Sequence, residues 1–566
     1  MVNSQSKILN GNLCCDDGSK YIYILNIAFA GTKTYMVSES GEDSERCLEN
    51  SNKYPCNSLV YITSNVVGNL IINLVKLYQN SMSNLCCDSQ AMLLSSRNSY
   101  TIIVNGLDGS LKCCNSEPSD LCSFGIMSDS VSNKHYVSFQ KMSFKSMILI
   151  LSNISIAFRN CTFHGVMVQG PRKYSTGALN VILENTIWRT DNGTQNLAFV
   201  NQETLHLSIT NSFFLNIIFK TKFKYCHISL LSSFFQYDGD FGLFDSGFRI
   251  ERRNVFFVPQ NYIFLNNITV IAKFCNNIAD AKPENVNIST LVVFLDINFE
   301  NIFLSVLNSR FQQLSQVICI HHINLKGGNN GIFLNVNIVN SSFSRINSDH
   351  RGGAIFISLS KSVTPLVLAE VQLINITFSG VQTSKKGGAI YIASQQSHSI
   401  YNRHFSVVIL NSKFINCRSA RKGGSIYIGQ NIKVLLQEVY FLSNFTGLYS
   451  EHGLFYFGES GVTLRGVTFQ IDKLVITTMV LRSSKPLLIN EVQLQCPNWY
   501  FASVTFNIDS SVYLFCALCQ GALYAPFLGQ FNIVYHEYSN RVQFVYQNME
   551  INNFKCKQCP QGAICL

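Results

Sequence analysis

The stretch Gly387-Gly388-Ala389-Ile390-Tyr391-Ile392 decides the fold of this chain, because a close copy lies on either side of it. Gly352-Gly353-Ala354-Ile355-Phe356-Ile357 precedes it, and Gly423-Gly424-Ser425-Ile426-Tyr427-Ile428 follows it. Each copy begins nine residues after the Phe of an Asn-x-x-Phe motif, and successive motifs are 35 and then 36 residues apart. A fixed period of this length indicates a repeat architecture, in which each unit stacks on the next.

Two short motifs therefore define the repeat. The residues that we predict to be structural in it are Asn340, Phe343, Gly352, Gly353, Asn375, Phe378, Gly387, Gly388, Asn411, Phe414, Gly423 and Gly424. A looser form without the glycine pair recurs upstream, at Asn160/Phe163, Asn185/Trp188, Asn211/Phe214 and Asn308/Phe311. Asn suits a bend because it tolerates a left-handed backbone, and the glycines suit a corner that needs a positive φ or a close backbone approach.

The residues around these motifs are typical of short strands. Val407-Val408-Ile409-Leu410 runs apolar before Asn411, and Leu334-Asn335-Val336-Asn337-Ile338 alternates before Asn340. Segments this short and this rich in β-branched residues favour strands over helices. A unit of strand, bend, strand and return cannot bury its apolar face alone, but it can when it is stacked on copies of itself. The pattern thus predicts a parallel β-helix with roughly 13 to 18 coils spaced about 4.8 Å apart.

Composition agrees with many strands and many turns. Of the 566 residues, 47% are hydrophobic and only 13% are charged, whereas globular proteins carry about 25% charged residues. Disorder is excluded, since it needs few apolar residues and much charge. Asn, a turn former, occurs 57 times. The net charge of +10 is spread along the chain without a basic run interleaved with aromatics, so we predict no nucleic-acid partner.

The Gly-Gly-Ala/Ser-Ile and Phe-x-x-Asn-like repeats, such as Phe441-Leu-Ser-Asn444, resemble those of the chlamydial polymorphic outer membrane proteins. The chain also resembles related β-helix surface proteins of protists, through Gly41-Glu-Asp43, Cys47 and Pro55-Cys56 near its start. This resemblance implies an all-β, right-handed parallel β-helix, which is a pectin-lyase-like solenoid, with a short cysteine-rich C-terminal segment. That segment, from Cys516-x-x-Cys519 to Cys565, is similar to an ephrin-receptor-like repeat. In such relatives it leads on to a membrane helix.

Three regions are expected. Residues 1–33 would be a leader or a misassigned start, with a candidate signal peptide at 20–30; residues 34–495 would form the β-helix; and residues 496–566 would be the cysteine-rich segment, truncated here. The 20 cysteines cluster at both ends, which favours disulfides in an oxidising compartment over the zinc alternative for Cys516-x-x-Cys519 and Cys556-x-x-Cys559. The candidate disulfide cysteines are Cys47, Cys56, Cys496, Cys516, Cys519, Cys556, Cys559 and Cys565.

A basic residue or pair precedes each glycine pair. We call these five residues the basic stripe: Arg351, Lys385, Lys386, Arg421 and Lys422. On stacked coils they would align and could attract anionic glycans or a membrane surface, although a solvated turn that keeps the protein soluble would have the same composition. Phe356, Tyr391 and Tyr427 occupy matching positions, and we expect them to pack as a ladder rather than to bind sugars.

The main functional expectation is a non-enzymatic secreted or cell-surface protein that acts as an adhesin or displays a binding surface, with glycans or other cell-surface proteins as partners. The alternative is a degenerate or unrecognised polysaccharide lyase or hydrolase, since parallel β-helices often host such enzymes. A hydrolase needs converging carboxylates. The cluster Asp238, Asp240 and Asp245 lies in a glycine-rich context typical of a turn, so no catalytic, metal or cofactor site is predicted. Membrane contact is expected only through a segment absent from this sequence.

Overall fold

The computed structural model describes much of the chain from residue 31 onward. The described residues are 31–74, 84–86, 90–94, 101–107, 109–112, 122–128, 135–171, 175–190, 195–200, 202–222, 225–238, 248–251, 260–266, 269–273, 294–296, 301–313, 317–322, 332–348, 351–359, 366–394, 405–443, 455–458, 460–471, 478–483, 487–490, 492–496, 500–506, 512–518, 523–524, 530–536, 541–546, 549–551 and 557–558.

The first sheet is a stack of sixteen parallel strands, one for each passage of the chain along this face. Its strands are Lys33–Val37, Leu70–Leu74, Thr101–Asn105, Tyr136–Gln140, Ser155–Arg159, Ser175–Glu184, Gln202–Thr210, Tyr225–Leu231, Gln260–Asn266, Asn301–Leu307, Ile332–Val339, Leu366–Ile374, Phe405–Leu410, Lys433–Gln437, Gly461–Arg465 and Leu487–Asn490. At about 4.8 Å per strand, the stack is on the order of 70 Å long.

Two further parallel stacks complete each coil. The second sheet follows the Asn bends and contains Asn84–Cys86, Ser110–Lys112, Ser143–Ser152, Thr162–Gln169, Ile187–Arg189, Phe213–Leu215, Phe234–Asp238, Thr269–Lys273, Arg310–Gln312, Ser342–Ser344, Thr377–Ser379, Lys413–Ile415, Tyr440–Ser443, Thr468–Ile471 and Val492–Gln495. The third sheet contains Gln90–Leu94, Cys122–Ser128, Gln195–Val200, Ile217–Lys222, Phe248–Glu251, Phe294–Asp296, Ile318–His322, Ile355–Leu359, Ile390–Ser394, Ile426–Ile428, Phe455–Phe457 and Thr478–Ser483. The long strands Ser143–Ser152 and Thr162–Gln169 run through both sheets.

The remaining elements lie at one corner of the coil and towards the two ends of the chain. Asn347–Ser348, Gln382–Thr383 and Arg418–Ser419 form a small parallel sheet at the corner between the second and third sheets. Two helices, Glu45–Glu49 and Leu59–Asn65, lie near the N-terminal end. The C-terminal strands are Tyr500–Phe506, Val512–Leu518, Leu523–Tyr524, Gln530–His536, Arg541–Tyr546, Met549–Ile551 and Lys557–Gln558. The prediction of an all-β, right-handed parallel β-helix is confirmed.

The core is a set of aligned apolar columns inside the coil. The Phe residues of the repeat stack in the second sheet, with ring centroids 5.0 Å apart for Phe343–Phe378 and 4.8 Å apart for Phe378–Phe414. Phe441 and Phe469 continue this column, and all five rings are buried. Isoleucines from the third sheet face it, including Ile390 and Ile392, which are fully buried. Stacking like residues on parallel strands therefore converts each repeat's apolar face into continuous core.

The Asn of each Asn-x-x-Phe motif makes the corner between the first and second sheets. All seven such asparagines have a φ between 48° and 54°, the left-handed region that Asn enters more readily than most residues. Their side chains also form a ladder: Asn375 Nδ2 donates to Asn340 Oδ1 at 2.8 Å, and Asn340 Nδ2 donates to Asn308 Oδ1 at 3.2 Å. The asparagine excess thus has a structural role at this corner.

A second ladder at the same corner was not predicted from the sequence. The residue after the Asn is often Ser, and its hydroxyl accepts a hydrogen bond from a backbone N–H of the preceding coil. Ser412 Oγ accepts from the Ile376 amide at 3.1 Å, and Ser341 Oγ accepts from the Ser309 amide at 3.1 Å. These buried serines satisfy amides that the turn would otherwise leave unpaired.

The two glycines of each pair have different structural roles, and both roles were predicted from the sequence. The first glycine takes the positive φ, which is +65° at Gly352 and +71° at Gly387 and Gly423. The second permits close approach: a Cβ on Gly353 would overlap the carbonyl oxygen of Gly388, and a Cβ on Gly388 would overlap that of Gly424. Since the obstructing atoms belong to the backbone of the next coil, no side-chain movement could make room.

A disulfide-bonded loop covers the N-terminal end of the stack. Cys47 and Cys56 form a disulfide, and both are fully buried. The Asp43 carboxylate accepts hydrogen bonds from the Asn57 and Ser58 amides at 2.8 and 2.9 Å and from the Ser58 hydroxyl at 2.8 Å. The helix Leu59–Asn65 then buries Leu59 and Ile62 against the core. This loop covers apolar residues that the first coil would otherwise expose.

Antiparallel strands close the C-terminal end, a feature that the sequence did not predict. Val512–Leu518 pairs antiparallel with Thr478–Ser483 of the third sheet, and Gln530–His536 pairs antiparallel with Val492–Gln495 of the second. A disulfide joins Cys496, which directly follows the second-sheet strand Val492–Gln495, to Cys516 in the added strand Val512–Leu518. Antiparallel strands at this position protect the edges of the second and third sheets from pairing with another chain. Because Cys516 is disulfide-bonded, it cannot be one of the zinc ligands considered for Cys516-x-x-Cys519.

Candidate anionic-ligand stripe on the third sheet

The basic stripe lies in the turn that leads into the third sheet. Ser348, Thr383 and Ser419 begin this turn, and the Thr383 hydroxyl accepts from the Lys385 amide at 3.1 Å. Backbone hydrogen bonds join the successive turns: the Gly352 amide donates to the Lys386 carbonyl at 2.9 Å, and the Gly387 amide donates to the Lys422 carbonyl at 3.0 Å. The turns are therefore in register, one directly above the next.

This register separates the basic stripe into two rows. Arg351, Lys386 and Lys422 immediately precede the glycine pairs, and we call them the inner row. Lys385 and Arg421 form the outer row, in which the Arg421 amide donates to the Lys385 carbonyl at 3.2 Å. The side chains of the outer row are exposed, whereas those of Lys386 and Lys422 are half-buried. The structure thus brings all five predicted residues to one edge of the third sheet.

The aromatic residues of the third sheet form the outer aromatic ladder, which consists of Phe356, Tyr391, Tyr427 and Tyr456. Their neighbours Ile390 and Ile392 point into the core, so the rings lie on the opposite, outer face. Ring centroids are 5.3, 4.8 and 4.9 Å apart, with interplanar angles of 13°, 7° and 8°. The rings pack against one another, as the sequence led us to expect, on the outer face of the sheet, where Tyr391 is buried and the other three are half-buried.

The inner row covers this ladder. The Arg351 guanidinium lies 5.4 Å from the ring centroid of Tyr391, the Lys386 ammonium lies 5.0 Å from that of Tyr427, and the Lys422 ammonium lies 4.9 Å from that of Tyr456. Arg351 also donates a hydrogen bond to the Tyr391 hydroxyl at 3.2 Å. Each cation therefore sits over the ring of the next coil, within the distance at which the ring face attracts positive charge.

Charge in the stripe is of one sign. In the part of the chain that the structure describes, no carboxylate lies within ion-pair distance of Lys385, Lys386, Arg421 or Lys422. The pKa of Lys386 is lowered, first by burial and then by the positive charges of Arg351, Lys422 and Arg421. Burial and the neighbouring tyrosines raise the pKa of Tyr427 to about 12, so its hydroxyl remains neutral and adds no negative charge.

Two members of the site were missed in the sequence. Tyr456 lies in a coil that lacks the glycine pair, and Arg482 pairs directly with it on the next strand. The Arg482 guanidinium lies 5.7 Å from the Tyr456 ring centroid and so covers the C-terminal end of the ladder. The alternation Phe455-Tyr456-Phe457 was the signal that could have revealed Tyr456, since it matches the strand Ile426-Tyr427-Ile428.

Several predicted residues lie outside the described part of the chain. They include Cys519, Cys556, Cys559 and Cys565, most of the leader region 1–33, and Asp240 and Asp245 of the acidic cluster. The main chain of Asp238 is described but its side chain is not. Among the described residues, no group of three or more His, Cys, Asp and Glu side chains could hold a metal ion, and no helix has the length and apolar character to cross a membrane.

Fold and site together define a parallel β-helix with capped ends and a cationic, aromatic-backed stripe on one face. No protein-family model matches the sequence, and no curated protein matches it. The resemblance to the polymorphic outer membrane proteins, and that of the C-terminal segment to an ephrin-receptor-like repeat, therefore remain predictions.

A comparison with solved structures gave the crystal structure of PfbA, a surface adhesin of Streptococcus pneumoniae. It is 10% identical in sequence, and the match covers 86% of this chain and 93% of that one at a TM-score of 0.25. So low a TM-score supports no inference about this chain.

Proposed function

We propose that this chain is a non-enzymatic, secreted or cell-surface protein whose β-helix presents the basic stripe as a binding face for anionic glycans. The observation that carries the proposal is the row of cations held in register, with no described carboxylate to neutralise four of them. A low-dielectric surface with charge of one sign attracts ligands of the opposite sign. The disulfides Cys47–Cys56 and Cys496–Cys516 support an oxidising, extracellular location.

Heparin-affinity chromatography tests the proposal. The variant Lys385→Glu/Lys386→Glu/Arg421→Glu/Lys422→Glu should elute at much lower salt than the wild type, because it reverses the charge of the stripe. The matched control Lys145→Glu/Lys413→Glu/Lys433→Glu/Arg465→Glu makes the same change in net charge at exposed residues of the first and second sheets. It should retain most of the wild-type affinity.

Two outcomes would contradict the proposal. Unchanged retention of the stripe variant would show that these residues do not bind the anion. Equal losses in both variants would show that net charge alone causes retention. Circular dichroism and thermal midpoints of both variants must match the wild type, so that a loss of binding is not a loss of folding.

A further inference from the structure

The basic stripe has a regular geometry that specifies more than the sign of the ligand's charge. Its inner row repeats once per coil, because the hydrogen bonds Gly352 N–Lys386 O and Gly387 N–Lys422 O hold successive turns directly above one another. Parallel strands are about 4.8 Å apart, so Arg351, Lys386 and Lys422 place one positive charge at each such step along the helix axis. Arg482 adds a further cation beside Tyr456 at the end of the row.

The outer aromatic ladder fixes where these charges lie. Free lysine and arginine side chains sample many rotamers, and ordering them on binding costs free energy. Here Lys386 and Lys422 already lie 5.0 and 4.9 Å from the ring centroids of Tyr427 and Tyr456, which in turn are stacked 4.9 Å apart. The rigid column of rings therefore preorganises the cations above it.

We infer that the stripe binds a linear acidic polysaccharide that lies parallel to the β-helix axis, with successive sulfate or carboxylate groups facing successive coils. The spacing of one coil is comparable to the length of one pyranose unit, so such a chain can follow the inner row without bending. Its charge also offsets the mutual repulsion of Lys386, Arg351, Lys422 and Arg421. This inference rests on the proposed function and names the ligand class and its orientation.

A single-charge comparison within one turn tests the role of the ladder. Lys386→Ala and Lys385→Ala remove the same charge from adjacent residues, but only Lys386 lies over a ring. With a heparin decasaccharide as the probe in titration calorimetry, Lys386→Ala should weaken binding about two- to tenfold more than Lys385→Ala, because it removes a preorganised cation. Equal effects of the two substitutions would overturn the inference.

Variants of the ring provide a second, independent measurement. Tyr427→Leu keeps every basic residue of the stripe but removes the ring beneath Lys386. It should weaken binding of the same decasaccharide by about two- to tenfold. Tyr427→Phe keeps the ring and should bind within about twofold of the wild type. If Tyr427→Leu is folded and binds as the wild type does, the ladder does not position the cations and the inference is wrong.

The dependence on ligand length tests the orientation. Affinity for size-fractionated heparin oligosaccharides should rise from the disaccharide until the chain spans the inner row, and then level off. Affinity independent of length, or equally strong binding to phosphatidylserine vesicles, would overturn the inference that a polysaccharide binds parallel to the β-helix axis. If the wild type does not bind heparin at all, the proposed function fails; if charge reversal abolishes binding but length has no effect, only this inference fails.

Discussion

At the scale of single residues, two kinds of position make the coil possible. The bend asparagines adopt a left-handed backbone, and the first glycine of each pair does the same at another corner. The second glycine is needed for a different reason, because the backbone of the next coil occupies the space of its Cβ. Both residue types were predicted to lie at corners, because their conformational preferences are properties of the residues themselves.

Gly388→Ala tests the close approach. The added Cβ would overlap the Gly424 carbonyl oxygen, so we expect the free energy of unfolding to fall by about 1–3 kcal/mol. Gly461→Ala is the matched control, since a Cβ there meets no heavy atom within 4 Å and its φ is not positive. Urea unfolding followed by circular dichroism measures both. A Gly388→Ala variant as stable as Gly461→Ala would show that the coils are not packed as closely as described.

At the scale of elements, each strand of the third sheet carries two functions. Its inward residues, such as Ile390 and Ile392, belong to the core, whereas Tyr391 supports the inner row on the outer face. The sequence predicted the alternation and the alignment of Phe356, Tyr391 and Tyr427. It could not predict that the basic side chains reach over the rings, because each contact joins residues 34 to 41 positions apart: Arg351 to Tyr391, Lys386 to Tyr427 and Lys422 to Tyr456.

The charge of Lys386 should make stability depend on pH in a defined direction. Its pKa is lowered in the folded protein, from an ordinary value of 10.5, so the unfolded chain binds more protons here as pH approaches 10.5. Stability of the wild type relative to Lys386→Gln should therefore rise through that window. Lys386→Arg keeps its charge throughout and should show no such gain. Urea midpoints between pH 7 and pH 10.5 provide the measurement, and parallel curves for wild type and Lys386→Gln would contradict it.

Tyr427 should act in the opposite direction at higher pH. Its pKa is raised to about 12, so the stability that its neutral form contributes is fully present below pH 10 and is lost as pH rises towards 12. Tyr427→Phe cannot ionise and should be less sensitive to alkali than the wild type over that range. Ultraviolet absorbance at the tyrosinate wavelength, followed together with unfolding, gives a direct readout. Ionisation of Tyr427 near pH 10 in the folded protein would contradict this expectation.

At the scale of the whole molecule, the coils are equivalent in register but unequal in length. Coil length can be counted between paired residues of neighbouring first-sheet strands. One coil has 19 residues, from Tyr136 to Ser155, and another has 41, from Tyr262 to Phe303. The strands stay in register because each coil needs only its three short pairing segments, and the extra residues lie between them. Stability should accordingly be a sum of contributions from neighbouring coils.

Removal of one complete coil tests this additivity. Deletion of residues 376–411 joins Asn375 to Ser412, which occupies the position of Ile376 in the next coil. The product should remain folded, with an unchanged β-sheet spectrum and a length shorter by about 4.8 Å in small-angle scattering. Deletion of residues 376–393 is the control. It joins the bend at Asn375 to the end of a third-sheet strand, so the resulting chain should not fold. Failure of both deletions would show that the coils are not interchangeable.

The sequence by itself determined the parallel β-helix, its core columns and its corners, because these follow from local preferences that recur with the period of the motifs. The basic stripe was also visible as a set of residues at matching positions. Only the tertiary structure decided that the cations lie over the outer aromatic ladder, that Tyr456 and Arg482 extend it, and that antiparallel strands close the C-terminal end. Those contacts depend on the alignment of coils of unequal length, and only the hydrogen bonds between neighbouring coils set that alignment.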